Sequence, residues 1–480
     1  MNMIRKISIA ILTLTSAASC DSFLETNPDN RVELDSPEKA AQLLTSAYSN
    51  GAYTFTEWMG DNVTYTTGTT ILTEHIQSYM WDEITSINQD TPANFWTTTY
   101  EAIAAANEVL AVIDELPGDR DLKKAVAGEA YLTRAYGHFM LVSLFSKHYD
   151  PETADEDPGI PYVTEPETEF VKKYTRGTVE EVFEKVEADL MEGLDLVDPS
   201  YYANSGKYHF NREAALAFAS RFYLFKGDLD NCIKYSSELL DSDPYLYIKD
   251  IRELLDQTAN ADAFIKEYSD PTDASNLLVC RQITNFPVNV GYWPSPNMIS
   301  SFYGSNPWDE NDVRVDQQYP IYLRGSGWTL AKNEFLFERS SLTSNVGLYY
   351  TIASLFRGEE VLLNRAECYA LQNKLNLAVA DLQVLVDMRY ENEPTVTLTA
   401  LKNYYGISNN FQATFTYIIE ERRKEFIHEG LRWFDIKRFN LPVSHFMPGG
   451  TLQLTSEDLR KIMQIPQAAI DVAGLTPNPR

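Results

Sequence analysis

The chain has 480 residues, of which 44% are hydrophobic and 23% charged, an ordinary globular balance for one large domain or two to three smaller ones. Forty basic residues against 69 acidic ones leave a net charge of −29, which argues against nucleic-acid binding and against attraction to an anionic membrane surface. Aromatic residues reach 12%, with 29 Tyr and seven Trp. Such side chains combine an apolar face with a polar edge and suit sugars, although most of them must fill helix cores.

The N-terminus reads as a processing signal. Arg5 and Lys6 precede an apolar run from Ile7 to Leu14, then Ser16-Ala17-Ala18-Ser19, then Cys20. This pattern resembles a bacterial lipobox and predicts a signal peptide over 1–19, with lipidation at Cys20. Each buried acyl CH₂ contributes about 0.8 kcal/mol, so several chains together anchor firmly. No other run reaches the roughly 18 apolar residues of a membrane helix. The expectation is an exported, tethered protein. Cys232, Cys280 and Cys368 are widely spaced and predicted to be apolar fillers without a disulfide.

Ser36-Pro37 predicts a helix start that continues through Ala40, Leu44 and Tyr48. Residues 57–95 are irregular, with a Thr/Gly-rich loop over 64–73. Helices follow at 96–116, stopped by Pro117-Gly118, and at 121–145, apolar almost all round. Residues 149–177 read as a loop whose acids lack EF-hand spacing, and no metal is expected. Thr178 and Glu181 form a capping box ahead of a helix to Leu196.

From Asn211 the spacing of Leu216, Ser220, Tyr223, Gly227, Cys232 and Pro244 matches the tetratricopeptide pattern, and Ala366, Tyr369, Asn373, Ala378 and Leu382 repeat it. The stretch of about 245–350 between them has little helical period and much loop chemistry. The predicted fold class is therefore mostly α, a tetratricopeptide-like helical-repeat scaffold with a large loop-rich insertion, and residues 20–480 are expected to form a single domain. Tyr65, Trp81, Tyr292, Trp293, Trp308 and Trp328 fall in loop context and are the candidate ligand-binding residues. Trp58, Trp96 and Trp433 are assigned to structure. His428-Glu429 lacks the second His of H-E-x-x-H, and neither a G-x-S-x-G nor a P-loop is present, so no catalytic residue and no cofactor is expected.

The densest block of charge and aromatics is 420–439, EERRKEFIHEGLRWFDIKRF. Its helical spacing pairs Glu421 with Lys424, Glu429 with Arg432, and Asp435 with Arg432 and Lys437 or Arg438. Gly430 allows close backbone approach or a break. The block predicts a structural clamp pinned by ion pairs and aromatic packing.

This block also resembles the C-terminal signature of the SusD/RagB family, through Glu421, Arg422, Arg423, Glu425, Phe426, Glu429, Gly430, Arg432, Trp433, Asp435 and Arg438. Asp61-Asn62, Pro294-Ser295-Pro296 and Ile465-Pro466-Gln467 are similar to other family stretches. The resemblance implies a SusD-like lipoprotein on the outer membrane, lipid-anchored and facing the extracellular side. It implies glycan binding and delivery to a SusC-like TonB-dependent outer-membrane transporter as partner. Peptide or another nutrient is the alternative ligand. The resemblance carries no specific ligand contacts, since ligand loops vary between members.

Overall fold

Ser36 opens the first helix, α1 (Pro37–Leu44), its hydroxyl accepting from the Lys39 N–H while Pro37 fills the first turn. The computed structural model describes residues 34–167, 172–202, 207–286, 288, 290–315 and 321–480, so the expected signal peptide and Cys20 lie outside the described residues. Helix α1 stops sooner than its pattern suggests, although Ala47 is still buried. Two short helices, α2 (Phe55–Met59) and α3 (Thr73–Met80), flank the Thr/Gly-rich loop.

Helix α4 (Pro92–Val112) begins at Pro92 rather than Trp96, because Thr91 accepts from the Asn94 N–H and Pro92 takes the first position. Helix α5 (Arg120–Phe145) is capped by Asp119 and buried along nearly its whole second half. The capping box of α6 (Val179–Leu196) forms in both directions. The Glu181 N–H donates to Thr178 Oγ1 at 3.2 Å, and the Thr178 N–H donates to Glu181 Oε2 at 3.1 Å.

The first repeat pair is α7 (Arg212–Lys226) and α8 (Leu229–Leu240), joined at Gly227. The insertion that follows holds more order than its composition suggests: α9 (Ile251–Gln257), α10 (Ala261–Tyr268), β1 (Asn276–Ile283), α11 (Pro296–Tyr303), β2 (Ile321–Arg324), β3 (Gly327–Leu330), β4 (Phe335–Arg339) and β5 (Gly347–Arg357). Strands β1, β5 and β4 form an antiparallel sheet in that order, and β2 pairs with β3 as a hairpin. Leu277, Leu278, Val279 and Cys280 of β1 are all buried, so the strand shows no alternation to betray it.

Strand β5 runs directly into α12 (Gly358–Leu371), which with α13 (Leu375–Asp387) makes the second repeat pair. Helix α8 packs on α12, so the two pairs stack as neighbours despite the insertion. At the seam Asn364 Nδ2 donates to Ser220 Oγ at 3.1 Å, and Ser236 Oγ donates to the same oxygen at 2.9 Å. Cys232, Cys280 and Cys368 are buried free thiols.

The chain finishes with α14 (Leu398–Tyr405), α15 (Asn410–Glu425), α16 (Arg432–Arg438) and the hairpin β6 (Val443–Met447) to β7 (Gly450–Leu454). The break between α15 and α16 falls at His428 (φ 69°) and Gly430 (φ 73°). A Cβ on Gly430 would lie 2.6 Å from Thr56 Oγ1 and 2.9 Å from the Tyr53 ring, so glycine allows the turn to press against α2. Trp58, Trp96 and Trp433 are buried in one large core that runs from α2 to the C-terminal segment. Among the described residues no helix is long and apolar enough to cross a membrane. The architecture is mostly helical and tetratricopeptide-like.

Candidate functional site

The charges of 420–438 turn inward. Arg389 grips Glu425 with two bonds, Nε to Oε2 at 2.9 Å and Nη2 to Oε1 at 3.0 Å, and also reaches Glu359 at 3.0 Å. Arg357 adds a bond to Glu425 at 3.1 Å, and Arg314 bonds Glu421 at 2.8 Å. Burial alone would push the Glu425 carboxyl up, but Arg389, Arg357 and Arg314 outweigh it and hold it well below the usual carboxylate range. Burial opposes Asp435 in the same way, and Arg422 and Arg438 bring it down to about 2. These carboxylates are committed to guanidinium groups and are poorly placed to act as acids or bases.

Two of the pairs expected within this block form: Glu421 with Lys424 at 2.9 Å and Asp435 with Arg438 at 2.7 Å. The others do not: the break at Gly430 separates Glu429 from Arg432, and within α16 Arg432 and Lys437 turn to partners elsewhere. Glu429 bonds Lys332 at 3.0 Å and Arg357 at 3.3 Å. Arg432 leaves Asp435 and Glu429 and binds Asp61 with both arms, each at 2.9 Å. Lys437 donates to the carbonyls of Ser143 and Ser146.

The Arg432–Asp61 pair ties this block to the foot of the Thr-rich loop. Arg423 Nε donates to Asn62 Oδ1 at 2.8 Å, and Glu57 accepts from the backbone N–H groups of His428 (2.9 Å) and Gly430 (3.2 Å). Beyond that foot the loop is stitched to two other segments. The Thr64 N–H donates to Trp293 O at 3.1 Å, and the Trp293 N–H to Thr66 Oγ1 at 2.9 Å. The Ser326 N–H donates to Thr67 O at 2.8 Å, the Thr67 N–H to Ser326 Oγ at 3.0 Å, and the Trp328 N–H to Pro294 O at 2.9 Å. Gly325 (φ 59°) makes this approach possible, since a Cβ there would sit 2.0 Å from Thr67 O. Loop 62–72, segment 290–296 and the β2–β3 hairpin therefore form one continuous face.

Four of the six predicted aromatic residues belong to the segments of this face: Tyr65 packs beside Tyr292 and Trp293 on the main core, and Trp328 packs on a separate cluster around Ile299, Tyr303 and Leu330. Tyr65 and Trp328 keep part of their surface exposed. Tyr292 (2% exposed) and Trp293 (1%) are buried. Trp293 Nε1 donates to Val290 O at 2.9 Å and the ring packs on Phe286 and His428. From Tyr65 a column of rings descends through Tyr292 (6.2 Å), Tyr79 (4.1 Å), His445 (4.1 Å) and Trp81 (4.4 Å).

Trp81, also predicted as a contact, is 3% exposed, and its Nε1 donates to Met59 O at 2.9 Å. Burial thus makes Trp81, Tyr292 and Trp293 supports of the face rather than stacking surfaces. Trp308 belongs to another neighbourhood, where it packs on Tyr390 and Tyr417 and donates to Thr395 O at 3.0 Å.

Two features escaped sequence reasoning. His445 joins the column with Nδ1 2.6 Å from Tyr79 O and Nε2 2.7 Å from Gly60 O, a role no local pattern announces. Burial lowers its pKa, and those two carbonyls oppose the shift. The second feature is a groove of about 770 Å³ between residues 81–97 and the C-terminal segment 460–480, with Trp81, Pro92, Arg460, Met463 and Pro466 among its walls.

A family model described as SusD-like, "Starch-binding associating with outer membrane", matches residues 22–224, and the SusD family model matches residues 327–473. The chain belongs to the SusD/RagB family. A SusD-like protein of Formosa agariphila is 22% identical over 507 aligned positions, covering 93% of this chain and 94% of its own length. Among solved structures, a SusD superfamily protein of Bacteroides thetaiotaomicron matches with a TM-score of 0.68 at 19% identity, over 93% of this chain and 100% of its own. A laminarin-binding SusD-like protein matches with a TM-score of 0.61 at 17% identity, over 92% and 98%. At such identities the structures show that this SusD-like chain shares their fold.

Proposed function

We propose that this SusD-like chain is an outer-membrane lipoprotein, anchored through Cys20, that binds a glycan and delivers it to a partner SusC-like TonB-dependent transporter. In this reading residues 1–19 are removed, residues 20–480 act as one domain, the binding face points to the extracellular side, and the protein binds without catalysis. One observation carries the glycan assignment. Tyr65 and Trp328 stand partly exposed on Thr- and Ser-bearing segments that backbone bonds hold together. A sugar ring can lie on either aromatic face while its hydroxyls bond the surrounding polar groups. Family membership supports the reading, as does the laminarin-binding relative.

The test is titration calorimetry of glycan and peptide pools into the full chain, alongside the Tyr65→Ala, Trp328→Ala double variant. Glycan heat that weakens about tenfold or more in the variant, ~1.4 kcal/mol or more, is the expected result. Heat from peptides alone overturns the glycan assignment. Release of reducing ends from a bound glycan overturns the non-catalytic assignment. Failure to co-purify with a transporter from solubilised outer membranes overturns the delivery role.

A further inference from the structure

The segments that build the proposed face carry almost no charge. Residues 62–72 and 290–296 contain no Asp, Glu, Lys or Arg, and 321–330 contain only Arg324, in a chain that is 23% charged. The gap therefore coincides with the segments that build the face. The carboxylates at its foot are already engaged: Asp61 by Arg432 and Arg423, Glu57 by two backbone N–H groups. The Arg324 guanidinium lies over the Tyr322 ring, 5.5 Å from its centroid. Hydroxyls occupy the positions where charges would stand, among them Thr66, Thr67, Thr69 and Ser326, and three of these four side chains already bond backbone groups across the seams.

Resting on the glycan reading above, we propose that the ligand is an uncharged glycan, a neutral polymer without uronate, sulfate or amino groups. Recognition of an anionic sugar draws on bidentate guanidinium or clustered lysine contacts, which are about twice as strong as neutral hydrogen bonds. Such a cluster is missing from the three segments, and a chain of net charge −29 repels a polyanion as it approaches. An amino sugar would call for a carboxylate within reach of the ring, and the same segments supply none. Neutral recognition by stacking and hydroxyl bonds has a distinct signature, since it involves no ion pairs for salt to screen.

The experiment compares amylopectin, laminarin and galactomannan with alginate and carrageenan, by affinity electrophoresis and calorimetry on the full chain. Each is run at about 50 and about 500 mM NaCl, which spans Debye lengths from about 14 to about 4 Å. The expected result is binding to at least one neutral polymer, changing less than about twofold with salt, and at least about tenfold weaker binding to both anionic ones. Binding confined to alginate or carrageenan and weakened by salt overturns the neutral assignment while leaving the glycan reading intact. Heat from peptide pools alone, or from no probe at all, overturns both.

Discussion

The ring of Tyr292 lies 4.1 Å from the ring of Tyr79 at an interplanar angle of 26°. Tyr79 belongs to α3 and is anchored twice more, by stacking on His445 and by donating from its hydroxyl to Phe446 O at 2.8 Å. The buried pair thus connects the partly exposed Tyr65 to the scaffold. A Tyr292→Ala variant should lose about 3–5 kcal/mol of stability, as large-to-small changes at buried aromatic sites do. It should also lose glycan affinity, because Tyr65 then has no ring beneath it. Denaturant melts and calorimetry on the same preparation check both effects; unchanged affinity would separate Tyr65 from the column.

Glu425 sits among Arg389, Arg357 and Arg314 with 2% of its side chain exposed. Replacing it by Gln removes the one carboxylate that Arg389, Arg357 and Arg314 share and leaves each with only its other partners, Glu359, Glu429 and the Asp312–Glu421 pair. Breaking a buried pair from one side costs about 3–5 kcal/mol. Glu425→Gln should therefore lower the urea midpoint strongly. A midpoint within experimental error of the parent would mean that water or a neighbouring acid replaces the lost charge.

Trp433 and Arg432 are adjacent but should behave differently. Trp433 is fully buried, so Trp433→Ala should cost about 3–5 kcal/mol and leave the ligand affinity of the folded fraction unchanged. Arg432 reaches outside its own helix to Asp61, at the foot of the loop that carries Tyr65. Arg432→Ala should lower stability and weaken glycan binding together. Equal affinities for the two variants would refute the mechanical link between this block and the face.

What could be read from the sequence follows from how local each signal is. Ser36-Pro37 and the Thr178–Glu181 box announce helix starts because cap chemistry is completed within four residues. The repeat pairs show for a similar reason, as their anchor spacing is fixed inside each hairpin. That the pairs stack directly, through Ser220 and Asn364, depends on contacts 144 positions apart. The β1–β5 pairing is equally remote, and β1 shows no alternation because its residues are buried on both faces. The same limit applies to the candidate contacts. Loop context placed Trp293 among them, but its ring is buried against Phe286 and against His428, the latter far away in sequence. Tyr65 and Trp328 have the same kind of context, and only the tertiary arrangement leaves them partly open.

Acid should destabilise the protein in two steps, and His138 is a marker for the first. Its Nε2 accepts from the Val163 N–H at 2.9 Å, which fixes the proton on Nδ1, 2.9 Å from Arg134 O. The ring is therefore neutral in the fold, and burial lowers its pKa to about 3. In the unfolded chain a histidine takes up its proton near pH 6.5. Below that value the unfolded state binds a proton the folded state refuses, so stability falls as pH drops from about 6.5 towards 3. His75, lowered to about 4 by burial, acts in the same direction. Asp435 gives the second step: its folded pKa of about 2 lies below the unfolded value of about 3.9, so its contribution is full above about pH 4 and is lost by about pH 2. A series of melting temperatures from pH 8 to pH 3 on the parent and on His138→Gln tests the first step. The variant should be less stable at neutral pH and should lose less stability between about pH 6.5 and 4. Parallel curves would show that His138 does not take part in the acid transition.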